Sequence, residues 1–205
     1  MSQSRRYRDF AIRYRTKIRT KLKNARHEGA LIDLRAELEA AALLLRDNTF
    51  LVEYEAYAAQ KQRGPDLTVT YKTHSTFNIE VRRLRGATDN DEPIPRVNRV
   101  MSILAAKVGQ LPAGVANLLW LVVEEEITLD DIRRATTSIH RLAERKDDEY
   151  FSRHGFNRSG QFARQFTRLS GIVLRRPGGV DTWINPAARH PVAPGILAAI
   201  YRNAS

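Results

Sequence analysis

The chain has 205 residues, 42% apolar and 28% charged, which suits one folded domain of ordinary size, with or without an arm, and not a disordered chain. Its 34 basic and 23 acidic side chains give a net charge of +11, and it has no cysteine, which excludes disulfides, thiolate zinc sites, iron–sulfur clusters and cysteine nucleophiles. No apolar run exceeds six residues, residues 118–123 being one of that length, far short of the roughly 18–20 residues that cross a bilayer, so no membrane-spanning segment is expected.

The charge is unevenly placed. Residues 1–27 carry Arg5, Arg6, Arg8, Arg13, Arg15, Lys17, Arg19, Lys21, Lys23 and Arg26 against one acid, Asp9. Residues 28–205 are close to neutral, at +2. Phe10, Tyr14, Ile18 and Leu22 recur at four-residue spacing, an apolar stripe on an otherwise cationic helix. Four readings fit this arm: a segment that neutralises nucleic-acid phosphates, a helix on an anionic membrane surface, an organelle transit peptide, and a helix docked by its stripe with a solvated cationic face. The first makes Arg5, Arg6, Arg8, Arg13, Arg15 and Lys17 candidate nucleic-acid contacts, and Lys72, outside the arm, is a further candidate contact. The expected organisation is an arm over 1–27 and a single domain over 28–205.

Beyond the arm, residues 31–46 show a helical period through Leu31, Leu34, Leu38, Ala41 and Leu45, ended by Asp47-Asn48. Residues 50–57 are branched and aromatic and read as a strand. After the Gly64-Pro65 break, Leu67, Val69 and Tyr71 alternate with polar residues, as do Phe77, Ile79 and Val81, which predicts two half-buried strands joined near residues 73–75. A helix is predicted over 97–108 and a buried strand over 118–123. Thr128 is the expected N-cap of a helix reaching about residue 146, with Asp130 and Asp131 in its first turn. The last 55 residues are expected to give a helix near 161–169, strands near 172–175 and 182–184, and a helix after Pro194. Helix, hairpin and strand–helix–strand crossover together predict an α/β fold, a mixed sheet of four to five strands flanked by helices, with the 118–123 strand parallel to its neighbour.

The hairpin concentrates the chemistry. Asp66, Thr68, Thr70 and Lys72 share one face of its first strand, and Asn78, Glu80 and Arg82 one face of its second. A turn centred on Thr73 sets Asp66 opposite Glu80, with Arg82 and Lys72 on the same face. Two carboxylates brought together repel unless a cation lies between them, and a divalent metal such as Mg²⁺ suits that place; the alternative is the wet face of an ordinary sheet.

Gly64-Pro65-Asp66, thirteen intervening residues, and Glu80-Val81-Arg82 resemble the signature of the PD-(D/E)XK nuclease superfamily, the restriction-endonuclease-like fold. The order helix, three strands, helix, strand resembles that family's αβββαβ core, over about residues 30–145, leaving residues 150–205 as a small α/β extension. The resemblance implies a metal-dependent nuclease hydrolysing phosphodiester bonds, in DNA before RNA. It implies that Mg²⁺ or Mn²⁺ is held by Asp66, Glu80 and the Val81 carbonyl, with a glutamate from the preceding helix. On a helical wheel Glu37 lies about 80° from the centre of the apolar face and Glu39 about 120°, which prefers Glu37. Arg82 stands where the family has lysine. Arginine cannot give up its proton, so its expected role is to stabilise developing phosphoryl charge, with Lys72 as a substitute ammonium group. The same substitution leaves open a catalytically inactive nuclease-fold protein that binds nucleic acid or serves in assembly. Many relatives are dimers, so a homodimer is a further expectation, and a cytoplasmic location agrees with the missing cysteine.

Weaker candidates complete the reading. The five histidines show no metal-ligand spacing, with His74 placed in the turn beside the site. Glu124, Glu125 and Glu126 end the fourth strand. Trp183, Arg189 and His190 are candidates for stacking on or contacting nucleic acid, the alternative for the tryptophan being the core.

Overall fold

The structure, a computed structural model, describes residues 5–57, 64–84, 94–123 and 127–204. Two helices, α1 (Arg5–Arg13) and α2 (Arg15–Asn24), precede the long helix α3 (Glu28–Leu44). Strands β1 (Phe50–Tyr54), β2 (Leu67–Tyr71) and β3 (Ser75–Leu84) follow, then α4 (Arg96–Val108), β4 (Ala116–Val123) and α5 (Leu129–Glu144). The chain closes with α6 (Asp148–Ser152), α7 (Ser159–Phe166), β5 (Leu169–Arg176), β6 (Gly179–Ile184) and α8 (Pro194–Ala204). No helix among the described residues is long and apolar enough to cross a membrane.

All six strands form one sheet in the order β1-β2-β3-β4-β5-β6. The outer pairs β1–β2, β2–β3 and β5–β6 are antiparallel, and the inner pairs β3–β4 and β4–β5 are parallel. The general class is therefore the expected α/β, but the sheet is larger than four to five strands. Residues 150–205 do not form an appendage: β5 pairs directly with the buried β4, and β6 is the sheet's far edge. A run such as Leu169–Leu174, buried on both faces, carries no alternation to show that it belongs in the sheet.

Alternation did locate the hairpin. Leu67 pairs with Ile79, Val69 with Phe77 and Tyr71 with Ser75, so the turn centres on Thr73. Lys72 and Thr73 take left-handed backbone (φ 48° and 67°) to close it. Strand β1 stops at Tyr54, three residues early, because Glu55 also turns left-handed (φ 47°). Thr128 caps α5 and forms a capping box with Asp131.

The sheet separates two apolar layers. On one face Phe77, Ile79, Val81, Leu118 and Trp120 pack with α3 and α8. On the other, Leu84, Leu119, Leu121, Ile172 and Leu174 pack with α4, α5 and α7.

The basic N-terminal segment is docked on the first of these layers. Phe10 is buried, with its ring 6.1 Å from Tyr54 and 4.9 Å from Tyr14. The expected stripe docks through Phe10, Tyr14 and Ile18 and fails only at Leu22. At 100° per residue a strict spacing of four drifts about 40° per step, so Leu22 lies about 120° from Phe10 while Lys21 lies about 20° away. Leu22 is exposed, and Lys17 and Lys21 take inward positions beside Phe10, Tyr14 and Ile18.

Candidate active site

Three elements bring the acids together. Asp66 sits immediately before β2, Glu80 lies in the middle of β3, and Glu37 lies on the sheet-facing side of α3. All three are buried. Glu39, two residues further along, is exposed and paired with Arg35 at 2.7 Å. The register places Asp66 so that its Oδ2 accepts the Val81 backbone N–H at 2.8 Å, which fixes the carboxylate against β3.

Three cations close the cluster. The Arg82 guanidinium donates to Glu80, lies 3.8 Å from Asp66 Oδ2, and donates to its neighbour's carbonyl, Val81 O, at 2.8 Å. Lys107, from the last turn of α4, lies 3.4 Å from Glu80. Lys21, from α2, reaches Glu37 at 2.7 Å, Glu55 at 2.8 Å and Asp66 Oδ1 at 3.9 Å. Tyr54 adds a hydroxyl donated to Glu37 at 2.5 Å. Asp66 thus joins two sub-clusters, one around Lys21 and one around Arg82.

Burial dominates the electrostatics. Desolvation, then the charge of Asp66, pushes Glu80 up to about 7, with Arg82 and Lys107 pulling the other way. Desolvation and Asp66 likewise raise Glu37 against the pull of Lys21. Lys107 is lowered by burial and by Arg82. For Lys21 burial is outweighed by Glu37, Glu55 and Asp66, and the ammonium form is favoured. Tyr54 is held protonated by burial and by Glu37.

Lys72 is not part of this arrangement. It stands in the turn at the opposite end of β2, six residues from Asp66, on the order of 20 Å along the strand, and its Nζ lies over the Tyr71 ring at 5.3 Å. The turn takes it out of the alternating strand, so it cannot stand in for the ammonium group. His74 is exposed in the same turn. Arg6 and Lys17 also differ from a free phosphate-binding arm: Arg6 donates to the carbonyls of Leu45, Asp47 and Phe50, and Lys17 to those of Tyr54 and Glu55. Carbonyls left over at the end of α3 and β1 make these cations structural. Arg5, Arg8, Arg13 and Arg15 remain exposed. Glu124, Glu125 and Glu126 lie outside the described residues.

Lys21, Lys107, Tyr54 and Glu55 were not among the expected site residues. Both lysines carry a signal in hindsight. Lys107 follows Val100 and Leu104 at i+7 and i+3 on the apolar face of α4, and Lys21 occupies the inward face of α2. A lysine on a face that is otherwise apolar must meet an acid or a ligand.

The donors present are of the kind that Mg²⁺ and Mn²⁺ take: two carboxylates, Asp66 and Glu80, already converging on one cation, and a nearby carbonyl, Val81. As arranged, their oxygens face ammonium and guanidinium groups, and among the described residues no three His, Asp or Glu side chains are placed to hold a metal ion. No protein-family model matches the chain, and no curated protein or solved structure gives a significant match.

Proposed function

We propose that this chain is a metal-dependent nuclease that hydrolyses phosphodiester bonds in DNA. The observation that carries the reading is the convergence of Asp66 and Glu80, both buried, on a cation they share, Arg82. A glutamate whose acidity is suppressed to about 7 by burial gains from a stronger cation beside it. The PD-(D/E)XK resemblance of these same residues supports the reading.

In this proposal Asp66, Glu80 and the Val81 carbonyl would hold Mg²⁺ or Mn²⁺, with Glu37, now paired with Lys21, as the further carboxylate at hand. The ion would supply Lewis acidity and a more acidic bound water. Arg82, displaced from the two carboxylates, would turn its guanidinium fork to the phosphoryl oxygens, where negative charge grows. Lys107, the ammonium group nearest Glu80, holds or delivers a proton, a role suited to a lysine whose pKa is lowered.

Calorimetry with Mn²⁺ and plasmid nicking, on wild type and Glu80→Ala, test this together. The expected result is metal binding and nicking by the wild type and neither by the variant. Undiminished nicking by Glu80→Ala overturns the site assignment.

A second reading has its own observation: Lys21, Arg82 and Lys107 already neutralise the acids. A fold with this internal ion network and no metal would act as a nucleic-acid-binding or assembly module. Absence of Mn²⁺ binding by the wild type favours it.

A further inference from the structure

A second feature lies away from the carboxylates. From residue 150 onward the chain has eight arginines and one acid, Asp181. Four of those arginines, Arg158, Arg164, Arg168 and Arg189, line a cleft of about 530 Å³ together with His190, and no acid lines it. The guanidiniums of Arg158, Arg164 and Arg189 make no ion pair with an acid among the described residues, and Arg168 donates one hydrogen bond, to Leu111 O at 3.1 Å. Asp148 feels the charge of Arg158, yet no acid among the described residues lines the cleft, and like charges gathered with so little counter-charge are costly unless an anion joins them.

The walls of the cleft are held by buried amides. Asn117 Nδ2 donates to the carbonyls of Pro112, Val115 and Arg168, which ties the turn before β4 to the turn before β5. Asn185 Nδ2 donates to Phe166 O and Leu169 O, the Arg189 N–H to Thr167 O, and Ser170 Oγ to His190 O. These bonds pin the segment that carries Arg189 and His190. The arginines therefore project from a fixed frame, which lowers the entropy lost on binding.

Position and size decide the ligand. The cleft opens where the parallel strands β4 and β5 begin, and the connection after α4 forms one wall. The last turn of that same helix presents Lys107 to Glu80. Strand rise and strand spacing put the cleft roughly 10–20 Å from Glu80, several phosphates along a strand at about 3.4 Å of rise each. Four guanidiniums, three from α7 and its two flanks and one from the segment after β6, around 530 Å³, leave more room than one phosphate group fills.

We infer that this cleft is a second, non-catalytic site that binds the phosphate backbone of the nucleic acid a few nucleotides from the bond presented to the carboxylate cluster. The inference rests on the proposed nuclease reading for its substrate class. The docked N-terminal segment is not required for it: the fixed cleft, not a mobile arm, is the backbone clamp.

The test is fluorescence anisotropy of a 20-base-pair DNA duplex in EDTA across a salt series, with wild type, Arg164→Ala/Arg189→Ala and Glu80→Gln. Arg164 and Arg189 are exposed, so melting curves should show the double variant folded. Its affinity should fall at least tenfold and its log–log salt slope by about 2, one unit for each phosphate that is no longer neutralised. Glu80→Gln should bind at least as tightly as wild type. Unchanged affinity and slope in the double variant overturn the cleft assignment. Plasmid nicking separates the two ideas: Glu80-dependent nicking with unaltered binding by the double variant removes the cleft alone. Loss of binding by the double variant, with no nicking by wild type, removes the nuclease alone.

Discussion

The Val81 N–H donates to Asp66 Oδ2 at 2.8 Å, and this bond turns a sequence spacing into a site. It holds the carboxylate of Asp66 against the middle of β3, with one oxygen toward Arg82 and the other toward Lys21. Asp66→Ala would leave the Val81 N–H buried without a partner and should cost about 1–3 kcal/mol in urea unfolding. Asp66→Asn keeps an acceptor but removes the charge. In that variant the pKa of Glu80, followed by NMR, should move down from about 7 but stay above the ordinary glutamate value, because burial is the larger cause. An unmoved Glu80 would mean that the two carboxylates do not sense each other.

The same titration sets a pH dependence of stability. Glu80 is raised to about 7 in the folded state, against roughly 4.3 for a free glutamate. Between these values the folded protein binds the extra proton. The stability that Glu80 contributes is therefore complete below about pH 4 and is lost as the pH rises through about 7. Glu80→Gln should gain on wild type by roughly 2–3 kcal/mol between pH 5 and pH 8. Unfolding curves at the two pH values giving a constant difference would contradict the raised pKa.

Lys21 competes with any metal for Glu37 and Asp66. Under the proposed function Lys21→Met should tighten Mn²⁺ binding by about tenfold, or 1.4 kcal/mol, while lowering the melting temperature of the metal-free protein. Calorimetry and a melting curve on one preparation read both. Weaker Mn²⁺ binding in this variant would show that Lys21 positions the acids instead of competing for them.

Phe10 anchors the N-terminal helices against Tyr54 and Tyr14. Phe10→Ala should cost about 3 kcal/mol, and the loss should appear mainly as detachment of α1 and α2. Hydrogen exchange should rise across residues 5–24 while α5 and β4 keep their protection. Uniform loss of protection would mean that the segment is integral to the whole fold.

Much of this architecture follows from local pattern. Period-two alternation determined the hairpin and its register, since one residue of slip would turn Thr68, Asn78 and Glu80 toward the layer that Leu67, Ile79 and Val81 fill. Helical period put Glu37 nearer the sheet than Glu39, and Thr128 with Asp131 marked the start of α5. Only the tertiary structure decided what surrounds Asp66 and Glu80. Lys21 lies 45 residues before Asp66, and Lys107 lies 27 after Glu80. Their approach depends on docking α2 and α4 on opposite faces of the sheet, which no local period reports. The pairing of β5 and β6 into the sheet beside β4, and the arginine cleft, have the same origin. Strand pairing and helix docking join segments far apart in the chain, and their free energy comes from burial and hydrogen bonds made only when the whole sheet is assembled.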